Sequence, residues 1–362
     1  MKKTYFKYLF SSIKHDFSRL LAIFLIVMLG VGFVVGLMST TPDLQRTVNN
    51  YYSEINFTDI YIQSTLGFTD NDLNDIKANV SDIKSIELSY QMDEETILND
   101  DEILLSRVIT RDFENNGSSI DKLTLTEGRF PENNTECVLL DPYDNMTSYS
   151  LHDIISVLDP NDSSTYIDLT IVGKVTDGYY LAKQAISSTT MNGNLDAIIY
   201  VSEDFSSDYT YTMMKMTFNS SSFLDTFSTE YSSYIDEKVS KIENLSSSLI
   251  NNRVEEISYE LLLNQVNESY PNLGINTVDR LKELMGTSGP ISDYLNEAFN
   301  LIKDTINDQN PTWYVLTRDE IQSFYIFNVD SGKVDAIANI FPVFFFAIAL
   351  LVSITSFTKA SL

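Results

Sequence analysis

Few residues in this chain have types and spacing suited to chemistry. There is one cysteine, Cys137, and of the two histidines only His152 falls in the long polar middle of the sequence. A nucleophilic thiol needs a neighbouring base, and no histidine is near Cys137 in sequence, so it reads as a buried, inert thiol. His152 has no second histidine or cysteine cluster to share a metal or complete a triad. The run Asp70-x-Asp72-x-Asn74 opens like a calcium loop. Its sixth position is Asp75, where such a loop turns on glycine, and its twelfth is Ser81, where it needs glutamate. No G-x-x-x-x-G-K-[ST] cradle for phosphate occurs, so the chain has no means of hydrolysing ATP. The expectation is a protein that is not an enzyme, with no catalytic, cofactor-binding or metal-binding residues and no cofactor.

What the residues must be positioned by is clearer. Two stretches free of charge lie near the ends, Leu20 to Met38 and Ala336 to Phe357. As helices rising about 1.5 Å per residue, each covers roughly 30 Å, the thickness of a bilayer's hydrocarbon core. A helix satisfies its own backbone in lipid, so this is the expected spanning form. The apolar core of the first stretch is too long for a cleaved signal peptide, and no A-x-A-like site follows it.

Charge is divided accordingly. The chain holds 24 basic and 51 acidic residues. Six bases (Lys2, Lys3, Lys7, Lys14, Arg19, Lys359) and two acids (Asp16, Asp335) lie outside residues 41–333, which leaves 18 bases against 49 acids there, a net −31. Basic flanks stay cytoplasmic, so both termini are placed inside and residues 41–333 outside the cell membrane. The acidic middle excludes nucleic acid as a partner. It serves either to repel anionic surfaces or simply to keep the domain soluble. With one cysteine there is no intrachain disulfide, and the domain is long enough to build its own core. Low Cys and Pro with abundant Asn, Ser, Asp and Ile suit a bacterial surface.

In chain order, residues 1–19 place aromatic and aliphatic residues at helical spacing with lysines between, an amphipathic segment for the inner membrane face. The span at 20–40 carries Gly32 and Gly36 as a G-x-x-x-G, which permits close approach of a neighbouring helix. Residues 57–63 suit a strand. Thr69 caps a helix to about Asn79, with Asp70 and Asp72 in its first turn. Strands are expected at 86–92, 103–110, 138–140, 166–175, 197–201 and 209–218. From Phe223 the period turns helical: Phe227, Tyr231, Ile235, Val239, Ile242, Leu245 and Leu249 recur at threes and fours. After a break at Pro271 and Gly274 a second helical part carries Leu281, Leu284, Ile291, Leu295, Ile302 and Ile306. An apolar stripe needs a partner, so the segment forms either a projecting antiparallel hairpin or helices lying flat on the domain, and the hairpin is the more economical.

Several segments together resemble a known family. Thr41-Pro42-Asp43, the paired Tyr51-Tyr52, Asp59-Ile60-Tyr61-Ile62 and Ser64-Thr65-Leu66-Gly67-Phe68-Thr69 follow a glycine-rich first span. Glu127-Gly128-Arg129-Phe130-Pro131 precedes Glu136-Cys137-Val138-Leu139. Pro311 to Arg318 reads as a returning strand, and Pro342 precedes a phenylalanine run in the second span. This pattern resembles the FtsX-like, MacB-type ABC transporter permeases, and the resemblance implies a polar turn at Thr41-Pro42-Asp43 after the first span.

The resemblance implies a membrane protein of two transmembrane α-helices flanking an α+β extracytoplasmic domain, like the MacB periplasmic core, with an inserted helical hairpin arm. The implied divisions are a cytoplasmic amphipathic segment 1–19, a span 20–40, the α+β domain 41–222, the arm 223–310, a return strand 311–333, a span 334–357 and a short cytoplasmic end 358–362. It further implies the lipid bilayer, a separate ABC ATPase subunit and a second permease half or dimer partner as partners, for export or signalling of an unidentified substrate. Family members continue beyond the second span, so an ending at Leu362 implies a truncated or split permease. A two-span sensor, the ectodomain of a chemoreceptor or histidine kinase without its cytoplasmic module, is the alternative.

Overall fold

A computed structural model describes residues 17–360 apart from 114–119, 144–145, 189–190, 192, 207–208 and 272–273. Most of the expected amphipathic segment 1–19, and the final two residues, lie outside the described residues. In chain order the elements are α1 (Phe17–Glu54), β1 (Ile60–Phe68), α2 (Asp70–Asn79), β2 (Ile83–Ser89), β3 (Gln91–Leu98), β4 (Glu102–Arg111), β5 (Thr124–Gly128), β6 (Glu136–Leu140), β7 (Ile154–Asp159), β8 (Asp162–Thr176), β9 (Ala197–Ser202), β10 (Tyr211–Phe218), α3 (Thr229–Ser269), α4 (Val278–Met285), α5 (Pro290–Asn307), β11 (Trp313–Thr317) and α6 (Gln322–Ala360). They divide into two compact units, one made by the long helices up to Tyr51 and from Phe324, the other spanning Tyr52–Ser323.

In the helical unit, α1 and α6 are each long and apolar enough to cross a membrane. Only 11% and 6% of their most apolar windows are buried, the reverse of a soluble protein's core helix. The helices meet where Phe33 and Phe341 stand 4.5 Å apart between ring centroids. Gly30 lies against the ring of Phe345, so close that a Cβ there would overlap it at 1.8 Å. The close approach expected at Gly32 and Gly36 occurs instead at Gly30, and a Cβ at either of the other two meets nothing within 4 Å. A second correction concerns Thr41-Pro42-Asp43. It is not a turn: Pro42 lies inside α1, which continues to Glu54. Proline removes a single donor, and helical bonds on both sides carry the helix past it. Likewise α6 starts at Gln322, earlier than the expected span.

The unit Tyr52–Ser323 is built around a four-stranded antiparallel sheet in the order β11-β1-β10-β2. One face packs Ile60, Ile62, Met214, Met216 and Trp313 against α2 and the first half of α3. As the sequence requires, Thr69 caps α2: its hydroxyl accepts from the Asp72 N–H while the Asp72 carboxylate accepts from the Thr69 N–H.

Between β2 and β10 the chain makes a second sheet, ordered β5-β8-β6-β9-β4-β3-β7, in which β7 also pairs with β8. That pairing closes six strands into a barrel, with β5 extending β8 along its outer edge. Closure removes unpaired strand edges. Alternate residues fill the interior, among them Leu104, Val108, Cys137, Leu139, Ile155, Leu169, Ile171 and Ile199. Two of the ladders, β4–β9 and β6–β8, are parallel, and the others are antiparallel.

Between β10 and β11 the chain makes the helices. The first half of α3 lies on the four-stranded sheet through Tyr231, Ile235, Ile242 and Leu249. Beyond it, Leu262 and Val266 leave the sheet and pack with Leu281 of α4 and Leu295 and Phe299 of α5. The helical insertion is therefore flat on the sheet at one end and a three-helix tip at the other. Because β1 and β11 are antiparallel neighbours, with Ile60 opposite Thr317, the two ends of this unit's chain lie side by side.

Candidate functional site

Where those two ends meet, Arg318 follows β11 and Phe57 to Asp59 precede β1. The guanidinium is 9% exposed and the Asp59 carboxylate 1%. Arg318 contacts Asp59 Oδ1 at 2.8 Å, donates from Nε to the Thr58 carbonyl and from Nη2 to the Phe57 carbonyl, each at 2.8 Å, and donates from Nη1 to the Thr226 hydroxyl. Its plane also stands near the Tyr52, Phe57 and Tyr231 rings, centroids 5.6, 5.5 and 5.0 Å away. Asp59 is equally engaged. It accepts from the Tyr231 hydroxyl at 2.8 Å, the Ser221 hydroxyl at 2.5 Å and the Phe218 N–H at 2.9 Å. One buried ion pair thus joins the two chain ends of this unit and the root of α3. A planar fork of donors suits this junction as a lysine would not.

A second buried cluster lies on the other face of the four-stranded sheet. Lys215, next in β10 to the core residues Met214 and Met216, donates to Asp121 Oδ2 at 3.0 Å, and Asp121 Oδ1 accepts from the Thr58 N–H at 2.7 Å. Arg111 stands 3.5 Å from Asp177 and donates to the Ile120 carbonyl, while the Tyr200 hydroxyl donates to Asp177 at 2.7 Å. Burial pulls the Lys215 ammonium below its ordinary pKa, Arg111 adds to this, and Asp121 opposes it. Arg111 Nε and the Tyr179 hydroxyl find no hydrogen-bond partner among the described residues. The seam ties the barrel strands β4 and β9 to β10 through charge, alongside the Tyr179 ring, which stands 4.4 Å from the Lys215 ammonium.

The resemblance-bearing segment at 127–136 has a local explanation. Gly128 adopts φ +76° and backs onto β8, where a Cβ would sit 2.2 Å from the Val172 carbonyl oxygen. Arg129 then reaches Glu136 with a two-pronged contact at 2.7 and 2.6 Å. The arginine holds the Glu136 carboxyl far down, at about 2. Glycine is the residue type that adopts this backbone freely.

Residues that sequence inspection weighed for chemistry are dispersed. Cys137 is fully buried inside the barrel, and burial pushes its thiol up, away from nucleophilic chemistry. His152 lies in an exposed turn at φ +76°. Among the described residues no group of three or more His, Cys, Asp or Glu is placed to hold a metal ion. The ionic clusters were missed, because Asp59, Arg111, Asp121, Asp177, Lys215 and Arg318 are scattered along the chain with no local spacing to mark them. Asp59, Lys215 and Arg318 stood inside noticed segments, but nothing in those segments marks them as partners of a buried ion pair.

No protein-family model matches the chain, and no curated protein matches it. Among solved structures, the periplasmic region of MacB from Actinobacillus actinomycetemcomitans is similar at 10% sequence identity, covering 54% of this chain and 86% of that one, with a TM-score of 0.28.

Proposed function

We propose that this chain is a permease-type subunit of an FtsX-like, MacB-type ABC transporter. In this reading α1 and α6 cross the membrane, both termini are cytoplasmic, and the Tyr52–Ser323 domain stands outside. The observation that carries it is the combination of two helices apolar on all sides with a polar α+β domain whose chain ends are joined by the buried Arg318–Asp59 pair. Such a junction lets a displacement of either end reach the four-stranded sheet and the root of α3 as one body. The basic residues ahead of the first span set the orientation. A separate ATPase supplies the power, since the chain has no phosphate cradle of its own.

Affinity isolation of the full chain from membranes, with candidate ABC ATPase and second permease half co-expressed, tests this. Recovery of the ATPase with ATP-dependent exchange is expected. Its consistent absence sinks the transporter reading, and recovery of a signalling kinase or receptor module in its place favours a two-span sensor.

A further inference from the structure

The face of the four-stranded sheet turned away from α3 carries a cavity of about 420 Å³. Three neighbouring strands place Tyr314, Gln63 and Met213 side by side on it, since Gln63 lies opposite Tyr314 of β11 and opposite Met213 of β10. Strands lie about 4.8 Å apart, so the three side chains form one row. Gln91 and Met92, at the start of β3, add a further wall. Gln91 is fixed there twice: its N–H donates to the Thr212 hydroxyl, and that hydroxyl donates to its carbonyl, each at 2.8 Å. The other two lining hydroxyls are also engaged with backbone. Ser64 donates to the Gly67 carbonyl at 2.9 Å, and Thr65 accepts from the Thr312 N–H at 2.9 Å.

The groups left over select the ligand. Among the described residues, the side-chain amides of Gln63 and Gln91 and the Tyr314 hydroxyl have no hydrogen-bond partner. Both glutamines are half-buried, and Tyr314 is 53% exposed. No lining residue is charged. The flanking charges in β10 and β3 are engaged elsewhere, Lys215 with Asp121 and Asp93 with Arg107. An ionic ligand would leave water for a site without a counter-charge. A hydrocarbon chain would strand both amides without partners. A peptide strand finds no edge to extend on this face, because β1 lies between β10 and β11, and β10 between β1 and β2.

We propose that this cavity binds a neutral sugar. Ring hydroxyls both donate and accept, so two adjacent ones meet the oxygen and the NH₂ of one glutamine amide together. The C–H face of the sugar ring lies on the Tyr314 ring, whose negative face suits it, and on Met92, itself 43% exposed. The volume is near the low end for small-molecule sites and too small for a folded partner. The site lies wholly within the Tyr52–Ser323 unit, and its test involves neither an ATPase nor membrane sidedness.

The full chain is placed in phosphatidylcholine discs free of sugar-based detergent. It is titrated with the methyl glycosides of glucose, galactose, mannose and N-acetylglucosamine, read by saturation-transfer NMR against empty discs. Saturable binding of at least one is expected, with its uronic-acid counterpart at least about tenfold weaker for want of a counter-charge. Gln63→Met and Gln91→Met each lower affinity about fivefold or more, the loss of one amide's hydrogen bonds. Tyr314→Ser weakens binding as well, whereas Tyr294→Ser, an exposed tyrosine of α5 outside the cavity, leaves it unchanged. An unchanged urea midpoint of Trp313 emission shows that each variant keeps its fold. The proposal is overturned if none of the four glycosides binds saturably, if the uronic acid binds as tightly, or if the glutamine variants bind unchanged. It is equally overturned if a neutral capped Gly-Ser-Gly peptide displaces the sugar at the same concentration, since the occupant is then a peptide.

Discussion

Replacing Arg318 by methionine removes the charge from the junction between the two chain ends while keeping much of its volume. The Asp59 carboxylate, 1% exposed, then keeps its donors from Tyr231, Ser221 and Phe218 but loses its cation. The Phe57 and Thr58 carbonyls lose the guanidinium donors as well. Leaving one member of a buried pair uncompensated costs about 3–5 kcal/mol. For a domain of this size, at about 2–4 °C per kcal/mol, thermal unfolding falls by about 6–20 °C. The assay is built into the chain. Trp313 is its only tryptophan and lies buried in the core between the four-stranded sheet and α3, so urea titration of the full chain in micelles followed by tryptophan emission reads this unit alone. The double variant Asp59→Asn/Arg318→Met recovers most of the loss, because neither charge remains buried. A loss under about 1 kcal/mol for Arg318→Met, the level of an exposed pair, refutes the reasoning. So does a double variant no more stable than the singles.

Other expectations follow from the same geometry. Burial raises the Glu94 carboxyl from 4.5 to about 7, with the Leu158 N–H its one opposing hydrogen bond. The fold therefore binds a proton that the unfolded chain releases, so stability present below about pH 4.5 is lost as pH rises through 7, by about 3 kcal/mol. Glu94→Gln removes this slope in denaturant titrations at pH 5 and pH 8, and an unchanged slope contradicts the assignment. In the helical unit, Gly30→Ile disrupts the contact between the two helices and lowers the thermal aggregation temperature of the full chain in micelles, whereas Gly32→Ile leaves it unchanged, because only Gly30 faces the Phe345 ring. Gly128→Ala loses at least about 1–2 kcal/mol from its left-handed backbone, with more from the Val172 contact, while Gly274→Ala, at φ +63° with open space, shows only the backbone cost in the same titration.

Much of the fold was legible where the signal is local. Uncharged runs marked α1 and α6, the Thr69–Asp72 box marked the start of α2, and apolar residues at threes and fours marked α3 and α5. The alternating segments at 103–110, 166–175 and 197–201 are strands β4, β8 and β9. Errors arose where tertiary context overrode a local sign. Thr41-Pro42-Asp43 has turn chemistry, yet sits within a helix whose bonds on either side bridge one missing donor. Gly32 and Gly36 have the spacing of a packing motif, but the neighbouring ring meets Gly30. Barrel closure was hidden because its β4–β9, β6–β9 and β3–β7 ladders join strands far apart in sequence, and β5 is largely exposed and carries no apolar alternation to mark it. The charged junctions were hidden for the same reason. Burial, not residue type, distinguishes Arg318, Lys215 and Glu94 from the many charges on the surface.

Membrane sidedness is tested most directly by cysteine labelling in intact cells with a membrane-impermeant maleimide. Cys137 is enclosed in the barrel and contributes no background. Glu132→Cys places a thiol on an exposed loop of the domain, and Lys3→Cys places one ahead of the first span. The account predicts labelling of Glu132→Cys in intact cells and of Lys3→Cys only after the membrane is opened. Labelling of Lys3→Cys from outside, or protection of Glu132→Cys until lysis, contradicts it.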